Sequence, residues 1–163
     1  VSSSKYGDIK LSINATVLIE FLTPALANEG LETMVNRVGK FNYDTNTHSL
    51  PKKKINAFLE WNHLDYEINL NARHIDGYKN QRPVTGLGLS YGYKNTIDSF
   101  LVFDLSLKRT FILESGEIDL KLSIINLFDE SAPRLYDAPD FSFDTRVHDP
   151  RGRITGINFE YRH

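Results

Sequence analysis

Apolar residues recur at every second position through most of this chain, and a period of two belongs to β-strands. From Ile9 to Phe21 one face carries Ile9, Leu11, Ile13, Ala15, Val17, Ile19 and Phe21, and the other carries Lys10, Ser12, Asn14, Thr16, Leu18 and Glu20. The pattern returns, less regularly, six more times. In the second of the seven segments Arg37 and Gly39 fall on the face that holds Leu31 and Val35. The spacing predicts strands near 9–22, 30–42, 53–63, 66–78, 99–112, 117–128 and 153–163, and so an all-β, antiparallel fold of about seven strands. Leu87, Leu89 and Tyr91 also alternate and leave room for a further strand near 86–93. No segment keeps a helical period. The nearest, Ala25 to Met34, is interrupted by Gly30 and preceded by Pro24.

The predicted connections alternate in length. Those at 22–30, 64–65 and 113–116 are short, and those at 43–53, 79–98 and 129–152 are long. Outer-membrane barrels sort their connections this way, with short periplasmic turns and long extracellular loops. A soluble sandwich has less reason to sort its loops this way, although the alternation of polar and apolar residues along the strands also describes one with its apolar face turned inward. The polar face is rich in Asn14, Asn56, Asn62, Asn69, Asn71 and Glu60, residue types suited to a wet lumen, and this favours a barrel with the apolar face turned to lipid.

Composition removes several classes of function. Lys plus Arg is 19 and Asp plus Glu is 21, a formal charge of 19 − 21 = −2, which gives nucleic acid no electrostatic footing. There is no Cys, so a disulfide framework and thiolate chemistry are excluded. No apolar run approaches the roughly 20 residues of a spanning helix, a limit that leaves spanning strands untouched. No secretory leader is visible at Val1, which implies that one was removed or that the N-terminal part of a longer protein is missing.

Towards the end of the chain the residues resemble a known family. Asn126-Leu127-Phe128-Asp129-Glu130, then Pro133 and Asp137, then Val147-His148-Asp149-Pro150-Arg151-Gly152-Arg153 and a terminal strand with Phe159 and Tyr161, are similar to the C-terminal end of TonB-dependent outer-membrane receptors. Leu50-Pro51-Lys52, Trp61, Ile75-Asp76-Gly77-Tyr78-Lys79, Ile97-Asp98-Ser99 and Gly7-Asp8-Ile9-Lys10 resemble earlier parts of the same barrel, so the likeness covers residues 1–163. It implies the closing strands of a 22-stranded transmembrane barrel in the bacterial outer membrane. It implies active uptake of a scarce nutrient such as a ferric siderophore, haem, cobalamin or carbohydrate. Neither the plug domain nor the TonB box is present in this sequence, so the chain is expected to be a fragment or one part of a split receptor. Its implied partners are the remaining strands and the plug, the TonB-ExbB-ExbD system acting through that plug, outer-membrane lipid and the barrel-assembly machinery. The family's chain usually ends in Phe, whereas this one ends in His163. A complete small outer-membrane barrel and a soluble β-sandwich binding module remain as alternatives.

No Gly-rich phosphate loop, His-Glu-x-x-His pair or nucleophile elbow occurs, and no enzymatic activity, cofactor or resident metal is expected. Loop residues Tyr78, Arg82, Tyr91 and Tyr136, with Tyr93 beside them, are candidates for substrate contact, because Tyr and Arg are effective binding residues. For Tyr78 and Tyr91 the competing role is an aromatic girdle at the outer interface, and Trp61 reads as a girdle residue near a short turn. Asp137, Asp140, Asp144, His148 and Asp149 make the last loop acidic. A cation contact and a solvated, turn-rich loop are the two readings of that acidity. Arg73, Glu60 and Glu67 are expected as paired charges on a lumen wall. Arg151 and Arg153 are expected to pin the last loop through Asp149 or Asp129.

Overall fold

The computed structural model describes residues 5–30, 33–42, 48–80, 82–136 and 142–163. In chain order its elements are β1 (Asp8–Val17), β2 (Leu22–Pro24), β3 (Met34–Asn36), β4 (Lys40–Asn42), β5 (His48–Ser49), β6 (Lys53–His63), β7 (Tyr66–Ile75), β8 (Tyr78–Asn80), the helix α1 (Gly86–Ser90), β9 (Thr96–Ile97), β10 (Phe100–Leu113), β11 (Gly116–Ile125) and β12 (Ile154–Arg162). The protein is all-β apart from that five-residue helix. Six strands form one antiparallel sheet in the order β1-β6-β7-β10-β11-β12, each beside the long strand next in sequence. They contain 10, 11, 10, 14, 10 and 9 residues. Strands of globular proteins usually have about 5–6 residues, whereas a tilted membrane-spanning strand needs about 9–11.

The expected second strand over 30–42 is replaced by the short β3 and β4, and β1 pairs directly with β6. Around Arg37 the chain changes partners. The Arg37 backbone N–H donates to the Phe21 carbonyl, while Gly39 donates to the Leu50 carbonyl. A strand carrying Arg37 on its apolar face has no favourable place in the long sheet. The large sheet therefore has six strands. Its hairpins at 64–65 and 114–115 lie at one end, and all three long connections, 18–52, 76–99 and 126–153, leave from the other. The short connections expected at 64–65 and 113–116 and the long ones after them are found, whereas 22–30, expected as a short turn, is part of the long 18–52 connection, and the first strand runs opposite to the expected direction. The expected strand near 86–93 is instead α1 and the turn after it.

Register makes each face uniform. One row across the sheet reads Ile9, Trp61, Ile68, Leu107, Leu122, Ile157, and the next reads Leu11, Leu59, Leu70, Leu105, Ile124, Thr155. The opposite face has rows Asp8, Asn62, Glu67, Lys108, Lys121, Asn158 and Lys10, Glu60, Asn69, Ser106, Ser123, Gly156. Charges on that face pair across strands: Lys108 meets Glu67 at 2.7 Å and Arg73 meets Asp104 at 3.1 Å. Glu60 instead accepts a hydrogen bond from Asn62 at 2.8 Å.

The apolar face is uncovered. Ile9, Leu11 and Ile13 are 63–68% exposed, and Ile157 and Phe159 are 77% and 64% exposed. Each such side chain left in water forgoes about 1.5–3 kcal/mol of transfer free energy. The sheet is open, with β1 and β12 as its edges, so these strands do not close a barrel among themselves.

The compact core lies at the long-connection end. Phe41, Tyr78, Ile97 and Leu135 form a buried cluster, with Val147 packed against it. A small sheet in the order β5-β4-β8-β9 frames this cluster, with β4 and β8 parallel. Phe100 and Val102 at the start of β10 are buried, and the Phe100 ring meets the His148 ring edge-on.

Candidate functional site

The three long connections are fastened to one another by side chains drawn from each. Tyr78 follows β7, Ser49 precedes β6, and Asp144 and His148 lie between β11 and β12. The Tyr78 hydroxyl donates to Asp144 Oδ2 at 2.7 Å and lies 3.2 Å from His148 Nε2. Ser49 Oγ donates to the same Asp144 oxygen. The Tyr78 and His148 rings stack at 6.0 Å with 5° between their planes. Tyr78, Asp144 and His148 are 4%, 3% and 3% exposed.

Burial sets the titration of this node. Desolvation, seconded by the negative charge of Asp144, pushes the Tyr78 phenol up from its ordinary value. Desolvation outweighs the attraction of Asp144 and holds the His148 imidazole down at about 4, so the ring is neutral at pH 7. The His148 Nδ1 atom is buried with no hydrogen-bond partner among the described residues.

A second fastening lies in the first connection. The fully buried Arg37 guanidinium pairs with Glu29 and also donates to Thr23 Oγ1 at 2.6 Å and to the Pro24 carbonyl at 3.1 Å. Arg37 holds the Glu29 carboxyl down at about 2.

Of the four sequence-predicted contact residues, Tyr78 is 4% exposed and its hydroxyl is engaged by Asp144, an arrangement that fastens the loops. Tyr136 is half-buried. Its hydroxyl bonds Thr85 Oγ1 at 2.7 Å, its carbonyl accepts from Asn80 Nδ2 at 3.2 Å, and its ring meets Tyr93 edge-on at 5.6 Å. A Cβ on Gly88 would stand 2.5 Å from the Tyr136 ring, so glycine is what lets α1 sit against it. Arg82 is partly exposed, and its backbone N–H donates to Asn80 Oδ1 at 3.2 Å. Tyr91 is 65% exposed, and its carbonyl accepts from Arg134 Nη1 at 3.2 Å. The Arg134 guanidinium lies 4.3 Å from the centre of the Tyr93 ring. Nothing in the spacing of the sequence singled out Arg134, Ser49 or the Glu29–Arg37 pair.

The two halves of the terminal sequence motif meet. Asn126, at φ 55°, ends β11, a conformation Asn tolerates better than most residues. Its side chain exchanges two hydrogen bonds with the Glu130 backbone, at 2.8 and 2.9 Å. The Leu127 N–H donates to the Phe103 carbonyl at 2.7 Å, and the Phe128 ring packs edge-on against Phe103 at 5.5 Å. The Asp129 carboxylate then accepts the Arg153 backbone N–H at 2.7 Å. A Cβ at Gly152 would lie 2.7 Å from that carboxylate, so only glycine passes there undisturbed. Arg151 chelates Asp149 at 2.7–3.1 Å and holds its carboxyl down at about 2. The expected Arg151–Asp149 pair is present as a local one, whereas the contact of Arg153 with Asp129 is made by its backbone N–H and not by the guanidinium.

Phe159 and Tyr161 lie on the apolar face, and the Tyr161 hydroxyl donates to the Ser115 carbonyl at 2.9 Å. Near the hairpin end of that face Trp61 stacks on His63 at 5.6 Å, and Arg109 lies against the Tyr66 and Phe111 rings at 4.9 and 4.6 Å.

Among the described residues no three His, Asp or Glu side chains gather in a metal-binding group. Asp137 and Asp140 lie outside the described residues. No helix of the described residues is long and apolar enough to cross a membrane, which says nothing of strands. No family model matches this chain, and neither does any curated protein or solved structure.

Proposed function

We propose that this chain is a C-terminal wall segment of a TonB-dependent outer-membrane receptor, supplying the closing strands and last extracellular loops of a nutrient transporter. The observation that carries the reading is the uncovered apolar face of a sheet whose strands have spanning length and whose opposite face is polar and ion-paired. Lipid is a solvent in which such a face is stable, and a wet lumen suits the other. The long connections at one end suit the extracellular side, and the aromatic residues Trp61, Tyr66, Phe111 and Tyr161 towards the hairpin end suit a periplasmic belt.

In this reading two open edges require further strands, because unpaired edge N–H and C=O groups in hydrocarbon cost several kcal/mol each. The rest of the barrel and a plug supply them and fill the lumen, the assembly machinery inserts the whole, and the TonB-ExbB-ExbD system moves the plug. The chain's own contribution is binding and enclosure, with no covalent step.

A soluble β-sandwich is the second reading, since a partner sheet would also cover the apolar face. Strand length and the one-sided long connections favour lipid over it. Intact mass and peptide coverage of the native polypeptide from fractionated cells decide between them. The expected result is an outer-membrane species several times heavier than 18.7 kDa that carries plug peptides. A species of this chain's own mass, alone in the soluble fraction, would overturn the proposal.

A further inference from the structure

We propose that Leu87, Tyr91 and Arg134 form a recognition surface for a ligand that joins an aromatic or apolar body to an anionic group. The proposal rests on the receptor reading, in which the long-connection end is the substrate-gathering end, and it assigns that end a ligand chemistry.

The apolar half is fixed by the packing of α1. Gly88 is buried against Tyr136 and Val84, with no room there for a side chain. Burial of the middle residue turns its neighbours outward, and Leu87, Leu89 and Tyr91 are 69%, 55% and 65% exposed. Leu87 and Tyr91 are four residues apart on the helical turn and so share a side, whereas Leu89, two residues from each, lies on the other flank and is left out of the surface. Exposed apolar residues gathered on one short element mark a contact surface more often than residues scattered singly. Lipid is not the natural cover, because α1 lies in the connection between β8 and β9, which belong to the small sheet and not to the six-stranded one.

Arg134 supplies the anionic half. Arg37, Arg73, Arg109, Arg151 and Arg162 each pair with a carboxylate. Arg134 is exposed and pairs with none among the described residues, as is also true of Arg146 and Arg153, and what sets it apart is the pair of contacts that orient it. Its guanidinium is held over the Tyr93 ring, and one Nη1 hydrogen bond reaches the Tyr91 carbonyl beside the apolar patch. A planar guanidinium oriented in this way keeps donors for a carboxylate at little further entropic cost. The charge and the apolar surface are joined through Tyr91, so one ligand can meet both.

The test uses the native polypeptide in detergent, with saturation-transfer NMR titrations of 2-naphthoate and of its neutral counterpart 2-naphthamide. Partition into micelles is removed by comparing variants at equal detergent. The acid is expected to bind about tenfold more tightly than the amide. Arg134→Gln reduces the acid to the level of the amide, Arg134→Lys keeps the preference, and Leu87→Ser weakens both probes, whereas Leu89→Ser leaves both unchanged. Equal binding of acid and amide, or acid binding unchanged in Arg134→Gln, would overturn the proposal. The receptor reading fails separately: a soluble protein with Arg134-dependent acid binding would keep this site and lose that reading, and a plug-bearing membrane species without it would do the reverse.

Discussion

The sheet and the loop assembly are built in opposite ways. The sheet has almost every backbone group of its inner strands paired over long, regular ladders, yet one whole face is apolar and bare. The loop assembly has strands of two or three residues and little regular pairing, yet it holds Phe41, Tyr78, Ile97 and Leu135 in a buried core. In a water-soluble domain the long strands would supply the core and the connections would be thin. The inversion teaches that the sheet takes its solvent from outside the chain, whereas the connections must supply their own burial. The membrane wall with a loop cap proposed above would have these requirements.

The comparison is broken most directly by emptying the cap's core. Leu135→Ala removes a side chain that is 2% exposed, and a loss of about 2–5 kcal/mol from the loop assembly is expected. Hydrogen exchange should show the loss in the long connections while the ladders between β6, β7, β10 and β11 keep their protection. Equal loss in both would mean that the two regions fold as one unit.

The sheet is probed by Leu11→Lys. With its face in lipid this change should cost about 2–4 kcal/mol towards the bilayer centre. With its face in water it should stay within about 0.5 kcal/mol, as surface changes do. Unfolding in lipid vesicles and in buffer separates the two cases.

Tyr78→Phe leaves Asp144 short of a donor in a buried site, and about 1–3 kcal/mol of loop stability should go with it. Limited proteolysis of the long connections is a sensitive readout, and resistance equal to the wild type would remove the hydroxyl's fastening role.

The smallest effect is a pH dependence. The folded-state value of about 4 for His148 lies below its ordinary 6.5, so the unfolded segment takes up a proton first as pH falls. The His148 contribution is fully present above about pH 6.5 and is lost as pH falls towards about 4. Asp144 and Lys54 face the ring with opposite charges and temper the midpoint. His148→Phe, which keeps a ring against Tyr78 and Phe100, should flatten the loop assembly's stability across that window. An unchanged slope would assign it to other groups.

Much of the sheet was legible because the side-chain period of a strand is local. Five of the six long strands lie close to the spans predicted from alternation, and the first begins where predicted and stops at Val17. The segment 30–42 was misplaced because alternation says which residues share a face and nothing about which strand they pair with. Arg37 was the warning, and its partner Glu29 lies in a stretch without period. The Asn126–Asp129 and Gly152–Arg153 pairing was visible as residues, and its cause, a carboxylate closing on a backbone N–H 24 residues away, was not.

The sequence by itself determined the class of the fold, the two chemically distinct faces and the short and long connections from β6 onward, because each follows from spacing along a few neighbouring residues. Only the tertiary structure decided that Tyr78 is buried, that Ser49, Asp144 and His148 meet it, and that Arg134 reaches the Tyr91 carbonyl and the Tyr93 ring. Those contacts join residues tens of positions apart. Their partners are chosen by packing and desolvation in three dimensions, which no local pattern records.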